Sequence, residues 1–399
     1  MRAVELNYVD PASPASLVEV PPPELPGPAW ARIAVDAGGI CGSDLHMFTR
    51  DRGPAPLLSK VSPLPMLLGH EIAGRVIEAG PASGVAEGDR VAVDPTTTCG
   101  ARGIDPPCPW CQAGAPSSCQ RLDSRVFTPG MALGLTTGLG GGWAEQVVAH
   151  RTMMFALPDA VADRAASLHE PVSIAVHGLL RRPPADGGPI AVVGGGVIVL
   201  AAVAASRWLF PTSEVTAIAR HPHQARAAKV VGAHHVVSET GDGAHMEELA
   251  RIIGTHLVRS GGDHMLARGY RCVVEAVGTS SAVNQALRIA DNRATVILSG
   301  AATTSSYDLT PVWFKELDLI GAANHSPDPG PRGGPTRHSV ARALDILAAG
   351  RMPDDVIVTH EFALEDHRMA VATAIDRHAG AIKVVFRPNG TTASGSEVA

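Results

Sequence analysis

The sequence predicts an α/β protein in two parts, a β-rich module and a doubly wound domain in which helices cover a parallel sheet. Three observations predict it. At 399 residues the chain exceeds what a single core usually organises, so two domains with a cleft between them are the expectation. Residues 1–150 are rich in Gly and Pro and carry short β-prone runs separated by turn signals. From about Ser173 strands alternate with Ala-rich helical stretches, which calls for parallel β/α units.

In the β-rich part the runs are Ala31–Ala37, Glu71–Glu78, Arg90–Val93 and Ala144–Val148. In the second part the strand Ile190–Val193 leads into the helical stretch Val197–Trp208, followed by the strand Val215–Ala219 and the helical stretch His223–Val231. Later strands are His235–Ser238, Arg271–Glu275 and Ala294–Ser299, with Leu317–Ala322 closing the sheet. The β-rich character then returns in Val356–Phe362 and Ile382–Phe386. Thr255–Arg268 and the Pro/Gly-rich Ser326–Pro335 read as inserted loops, and the small, polar tail from Asn389 reads as disordered. The boundaries this gives are 1–172, 173–320, a return over 321–388, and the tail 389–399.

A net charge of -6, with Arg spread along the chain, offers no basic patch for a phosphate backbone, so nucleic acid is excluded as a partner. The apolar run Pro189–Ala205 is interrupted by Gly194, Gly195 and Gly196, and the N-terminus lacks a basic region followed by an apolar core. The expectation is a soluble, cytoplasmic protein without a membrane partner. Four of the six cysteines fall between residues 99 and 119, a crowding that points to metal and not to a disulfide framework.

Cys99, Cys108, Cys111 and Cys119 have the spacing C-x8-C-x2-C-x7-C. A two-residue gap lets two thiolates reach one ion while the outer pair completes a tetrahedron, the pattern of a structural zinc. Cys41 lies in Gly39-Ile40-Cys41-Gly42-Ser43-Asp44-Leu45-His46, and Gly69-His70-Glu71-Ile72-Ala73-Gly74 follows some thirty residues later. Thiolate and imidazole make a partial shell for a catalytic zinc, which keeps one position open and takes three protein ligands. Glu71 or Glu170 is placed to supply the carboxylate, and spacing does not choose between them.

These stretches, with Gly80, Gly88-Asp89-Arg90-Val91 and the cysteine cluster, resemble the medium-chain, zinc-containing alcohol dehydrogenase superfamily from Met1 to about Pro388. The resemblance implies a GroES-like β-rich catalytic domain and a Rossmann dinucleotide-binding domain. Glu170-Pro171 looks like the sorbitol and threonine dehydrogenase branch, which has Glu-Pro where horse-liver-type enzymes have a zinc-binding cysteine. By this resemblance Glu170 is the third ligand or the holder of the zinc-bound water, with Glu71 as its exchange partner. Ser43 and His46 relay the alcohol proton to solvent, Asp44 orients His70, and Lys383 pairs with Glu71. His169 stands beside Glu170 and either faces the metal or packs away from it. The first two cysteines depart from the family, which separates them by two residues where Gly100 to Pro107 intervene here.

Ile190-Ala191-Val192-Val193 runs into Gly194-Gly195-Gly196 and then Val197 and Ile198 of a helical stretch, the strand-turn-helix context that lets backbone approach a pyrophosphate. Val199 occupies the third glycine position, where a side chain pushes the helix from the strand. At the end of the second strand, Ala219 stands where NAD-preferring enzymes place an acid, followed by Arg220 and His221. No carboxylate repels a 2′-phosphate there and Arg220 offers it charge-assisted hydrogen bonds, so NADP is favoured, with NAD as the alternative. Ala276, Val277 and Gly300 lie where the family brings backbone against the nicotinamide. Cys272 reads as a buried strand residue without chemistry.

The implied chemistry is a zinc-bound alkoxide that passes hydride to nicotinamide C4 while its proton leaves through Ser43 and His46. Secondary alcohols, sugars or polyols are favoured as alcohol or carbonyl substrates, and a homodimer or homotetramer is expected. A zinc-free enoyl or quinone reductase is opposed by the cysteines and by the Cys41 and His70 pair. Two further alternatives are an epimerase or dismutase that retains its dinucleotide, and a cofactor-binding protein without turnover.

Overall fold

The computed structural model describes residues 1–10, 13–49, 64–121, 130–184, 187–240, 243–260, 263–376 and 378–390. Two compact units emerge. The first comprises Met1–Glu170, the tripeptide His325–Pro327, and the chain from Val358 onward. The second comprises Pro171–Asn324 and Asp328–Ile357.

The first unit is built on a seven-stranded sheet in the order Val358–Phe362, Lys383–Phe386, Trp30–Gly39, Glu71–Ala79, Arg90–Val93 and Met154–Ala156, with Gln146–His150 also pairing with Trp30–Gly39. Alternate residues Ile33 and Val35 of the long central strand are buried with Ile72, Val76, Val91, Val93 and Val147, as a half-covered sheet requires. Gly39 pairs with Glu71 on one side and with Val385 on the other, so the end of this strand is flanked by two further segments. A second, three-stranded sheet joins Ser13–Glu19, Arg2–Asp10 and Met66–Leu67. Val4 and Leu6 of that sheet pack with Ile40, Met47, Trp143 and Phe386.

The second unit holds six parallel strands in the order His235–Ser238, Val215–Ala219, Ile190–Val193, Tyr270–Glu275, Ala290–Leu298 and Asp318–Gly321. All four residues of Ile190–Val193 are buried, as both faces of a parallel sheet are covered. Strand order reverses between Ile190–Val193 and Tyr270–Glu275, the switch point outside whose carboxyl ends ligands bind in such sheets. The helix Val197–Leu209, apolar from Val197 to Ala205 with Val199–Ser206 buried, covers one face.

Three expectations are corrected. Residues 328–357 belong to the second unit and not to the returning catalytic segment. Their helix Ser339–Ala348 packs on Val197–Leu209, and Asp328 meets His177 at 2.9 Å with both side chains buried. The two inserted loops contain strands, Leu257–Ser260 with Asp263–Leu266 and Pro327–Gly330 with Gly334–His338, because a hairpin pairs its own backbone groups. The tail does not begin at Asn389, whose Nδ2 donates to Val35 O at 3.1 Å and to Glu145 O at 2.7 Å. Residues 391–399, the rest of the tail, lie outside the described residues. Among the described residues no helix is long and apolar enough to cross a membrane.

Candidate active site

Within the first unit, Cys41 ends the turn that opens the helix Gly42–Thr49, and the buried Asp44 sits in the first turn of that helix. One Asp44 oxygen accepts from the Cys41 amide at 2.9 Å, and the other lies 3.4 Å from His70 Nδ1. His70 therefore presents Nε2 to the site, where Ser43 Oγ approaches to 3.4 Å. Burial opposes the imidazolium, but the charges of Asp44 and Cys41 and hydrogen bonds to both hold His70 well above the usual histidine range. Among the described residues, Cys41, His70, Glu71 and Glu170 do not bring three ligand atoms within 4.8 Å of one another. Ser43 and His46 lie three residues apart on one helix, which puts them on one face; Ser43 is exposed and His46 half-buried.

Glu71 opens the strand Glu71–Ala79, directly after His70. Glu71 pairs with Lys383, whose Nζ also donates to Ile40 O at 2.8 Å. A Cβ at Gly39 would lie 1.8 Å from Glu71 Oε2, so only glycine leaves room for this pair. Burial raises the Glu71 carboxyl above the usual range and outweighs Lys383.

The position of His169 is now defined. Its Nδ1 meets Ala166 O at 2.7 Å and its Nε2 meets Val93 O at 3.1 Å, which leaves neither nitrogen for a metal. Glu170, in the first turn of the helix His169–Arg181, is buried and lies 3.2 Å from Nε2 of His325, itself 3% exposed. Burial works against the charge on Glu170, yet the hydrogen bond and charge of His325, with His70 and Lys383, hold its carboxyl below the usual range. Sequence reasoning missed His325, which sits in no motif and reaches Glu170 only through the fold.

The second cluster is compact. Cys99, Cys108, Cys111 and Cys119 place their sulfurs within 4.8 Å of one another, and among the described residues this is the only such grouping of potential ligands. Cys99 and Cys119 sulfurs are 3.7 Å apart, whereas corners of a tetrahedral Zn–S shell lie about 3.8 Å apart. The donor set therefore fits a structural zinc. The lengthened spacing closes on itself, since Ile104 N returns to Cys99 O at 3.0 Å and Arg102 N to Thr98 O at 3.0 Å. Buried Arg102 then ties the loop to Thr97 and to Gly130 O.

In the second unit Gly194 has φ of +121° and its amide bonds Ile218 O at 2.9 Å. A Cβ there would lie 2.6 Å from Val277 Cγ2, so the glycine keeps open a cradle at the sheet's switch point. Val199 is buried against this turn, and the helix nevertheless starts at Val197, directly after Gly196. Half-buried Val197 and Ile198 form its first turn. The Gln224 side chain lies across Gly195 and accepts from His221 N at 3.3 Å, a residue that sequence reasoning missed although its place at the third helical position was the signal. Ala219 is buried, and the exposed Arg220 is held by Glu239 at 2.9 Å. His221 stacks on His223 with ring centroids 5.7 Å apart. Glu275 Oε1 accepts from Val277 N at 2.7 Å and Gly278 N at 2.8 Å, shaping the loop that includes Ala276, while a Cβ on Gly300 would lie 2.3 Å from Gly278 N. These glycine-kept approaches fit a dinucleotide. Cys272 is fully buried, and burial pushes its thiol up to about 12.

Comparisons with known proteins agree with this architecture. The alcohol dehydrogenase GroES-like domain family matches residues 27–159, and the zinc-binding dehydrogenase family matches residues 197–333. Sorbitol dehydrogenase of Bacillus subtilis is 27% identical over 362 residues, covering 90% of each chain. L-idonate 5-dehydrogenase of Vitis vinifera is 26% identical, over 90% of this chain and 88% of its own. A zinc-binding dehydrogenase of Sinorhizobium meliloti, solved bound to NADP, is 27% identical and superimposes with a TM-score of 0.73 over 97% of this chain and 99% of that one.

Proposed function

Since the chain belongs to the zinc-containing medium-chain alcohol dehydrogenase superfamily and is an oxidoreductase of CH–OH groups, we propose that it interconverts a secondary alcohol or polyol and its ketone, using NADP in preference to NAD. Cys41, His70 and Glu170 would hold the catalytic zinc, and Cys99, Cys108, Cys111 and Cys119 the structural one. The observation that supports this reading is Asp44, one oxygen of which accepts from the Cys41 amide while the other lies 3.4 Å from His70 Nδ1, so that one buried carboxylate adjoins two of the proposed ligands. When bound, zinc supplies the Lewis acidity that acidifies the alcohol, and the dinucleotide accepts the hydride.

The remaining steps belong to the chain's own residues. Ser43, exposed beside His70, takes the hydroxyl proton, and His46 on the same helix face passes it to solvent. Lys383 keeps Glu71 paired away from water. Glu275 shapes the loop against which the nicotinamide lies, and Gly194 admits the pyrophosphate. The sorbitol, idonate and arabinitol dehydrogenases among the relatives support a polyol substrate.

The test is nicotinamide absorbance on purified protein with secondary alcohols, polyols, 3-hydroxy acids and aldehydes, each against NAD and NADP, with and without a zinc chelator. Chelator-sensitive turnover of a polyol or secondary alcohol supports the reading. Zinc and dinucleotide binding without turnover of any of them overturns it.

A further inference from the structure

We propose that Arg102 is a positioning residue for the four-cysteine site, a buried clamp that holds the lengthened link between Cys99 and Cys108 in its metal-binding shape before an ion arrives. This rests on the reading of that site as a structural zinc centre and adds to it the means by which the longer link works. Eight residues separate Cys99 from Cys108. A flexible link becomes costlier to close as it lengthens, by about threefold in the equilibrium per doubling. Without other support the ion would have to order the whole loop as it binds.

The chain supplies that support from inside the link. Ala101 is buried in the apolar core of the main sheet with Leu133 and Met153. The next residue, Arg102, is 1% exposed. Its Nε donates to Thr97 O at 2.8 Å, and its Nη2 donates to Thr97 Oγ1 at 3.0 Å and to Gly130 O. Thr97 and Gly130 stand on either side of the four cysteines in the sequence and are joined to each other, since Thr97 Oγ1 donates to Gly130 O at 3.1 Å. Thr97 N donates to Met131 O at 3.1 Å, and Thr96 bridges Ala132. Arg102 therefore fastens the link to both chain segments at the base of the cysteine lobe. A guanidinium out of water cannot shed its charge and needs its donors bonded, so it does not leave this base cheaply. The order reaches two ligands directly: Ile104 N donates to Cys99 O at 3.0 Å, and Cys108 N donates to Cys99 Sγ at 3.4 Å.

Two substitutions test the clamp in the full-length protein. Arg102→Met keeps an unbranched side chain and removes every donor; Thr97→Val removes only the hydroxyl, a milder change that still folds if the first does not. Each protein is stripped with a chelator, and hydrogen exchange is followed at the Ile104 amide. Zinc affinity is then read by chelator competition, and the cobalt(II)–thiolate band that Cys108→Ser removes identifies the site. The expected result is a protected Ile104 amide in metal-free wild type. In Arg102→Met it exchanges faster and zinc binds more weakly, both by about 10–100-fold, because the ion now does the ordering. Added zinc restores the protection, and Thr97→Val shifts both readings the same way by less. A metal-free wild type whose Ile104 amide exchanges as fast as that of Arg102→Met, or wild-type zinc affinity in both variants, overturns the clamp. So does weaker zinc binding with Ile104 protection intact, which places the effect outside the link. A wild-type protein with no cobalt–thiolate band for Cys108→Ser to remove overturns instead the zinc reading on which the clamp rests.

Discussion

Lys383 and Glu71 form an ion pair whose side chains are each 1% exposed, beneath a glycine that leaves no space for a Cβ. Removing one partner strands the other charge away from water. Lys383→Met should therefore destabilise the protein by about 3–5 kcal/mol, whereas Glu71→Leu with Lys383→Met should recover more than half of that loss. Denaturation midpoints of the three proteins give the answer, and a single variant as stable as wild type would show that the pair contributes nothing.

The four-cysteine site makes a prediction about protons. Burial pushes the thiols of Cys111 and Cys119 up, so both carry protons at pH 7 when no metal is bound. Cys108 differs: although burial opposes its thiolate, hydrogen bonds from the Gln120 and Cys111 backbone bring it down to about 6. Zinc must displace at least the two protons of Cys111 and Cys119, so its affinity should rise with pH, with a log–log slope of about two or more between pH 7 and 8. Chelator competition across that range measures the slope, and a pH-independent affinity would contradict it.

Dinucleotide preference should turn on Arg220. Its partner Glu239 holds it through one nitrogen at 2.9 Å, so a 2′-phosphate has to compete with that carboxylate. Arg220→Ala should raise KM for NADP by about 10–100-fold, the value of a lost charged hydrogen bond, and leave KM for NAD nearly unchanged. Glu239→Gln should lower KM for NADP. Steady-state kinetics with both dinucleotides decides, and an unchanged NADP/NAD ratio in Arg220→Ala would remove the basis for preferring NADP.

Lys315 gives a pH dependence of known sign. It is 3% exposed, donates to Leu266 O at 2.9 Å and Ala290 O at 2.6 Å, and burial brings its amine down to about 8 despite the opposing charge of Asp291. The unfolded chain, with an ordinary lysine near 10.5, binds the proton more tightly, so the penalty is full below about pH 8 and fades as pH rises toward 10.5. Thermal melting should show stability rising over that window, relative to the Lys315→Met variant. Parallel pH profiles for the two proteins would refute the assignment.

The parallel sheet was legible because its strands are short, apolar runs whose burial on both faces leaves little ambiguity, and Val215–Ala219 appears with the predicted ends. The cysteine cluster was legible because its ligands are close in sequence. The inserted hairpins were not, since Thr255–Arg268 and Ser326–Pro335 lack the apolar alternation that marks a strand. His325 and Gln224 escaped for another reason: each acts through a neighbour far along the chain or in another loop, and no local spacing encodes that. The surroundings of Glu71, Glu170 and His169 depend likewise on partners such as Lys383, His325 and Val93, which only folding brings near.

The strand Lys383–Phe386 lies beside Trp30–Gly39 in the main sheet of the first unit, and its lysine completes the charge balance at Glu71. On the ribosome, the first 170 residues emerge without either, and the whole second unit is made before them. The nascent N-terminal segment must therefore wait with an open sheet edge and an unmatched buried carboxylate. The Glu71–Lys383 pair forms only when the last strand has been translated, after the second unit has had time to fold.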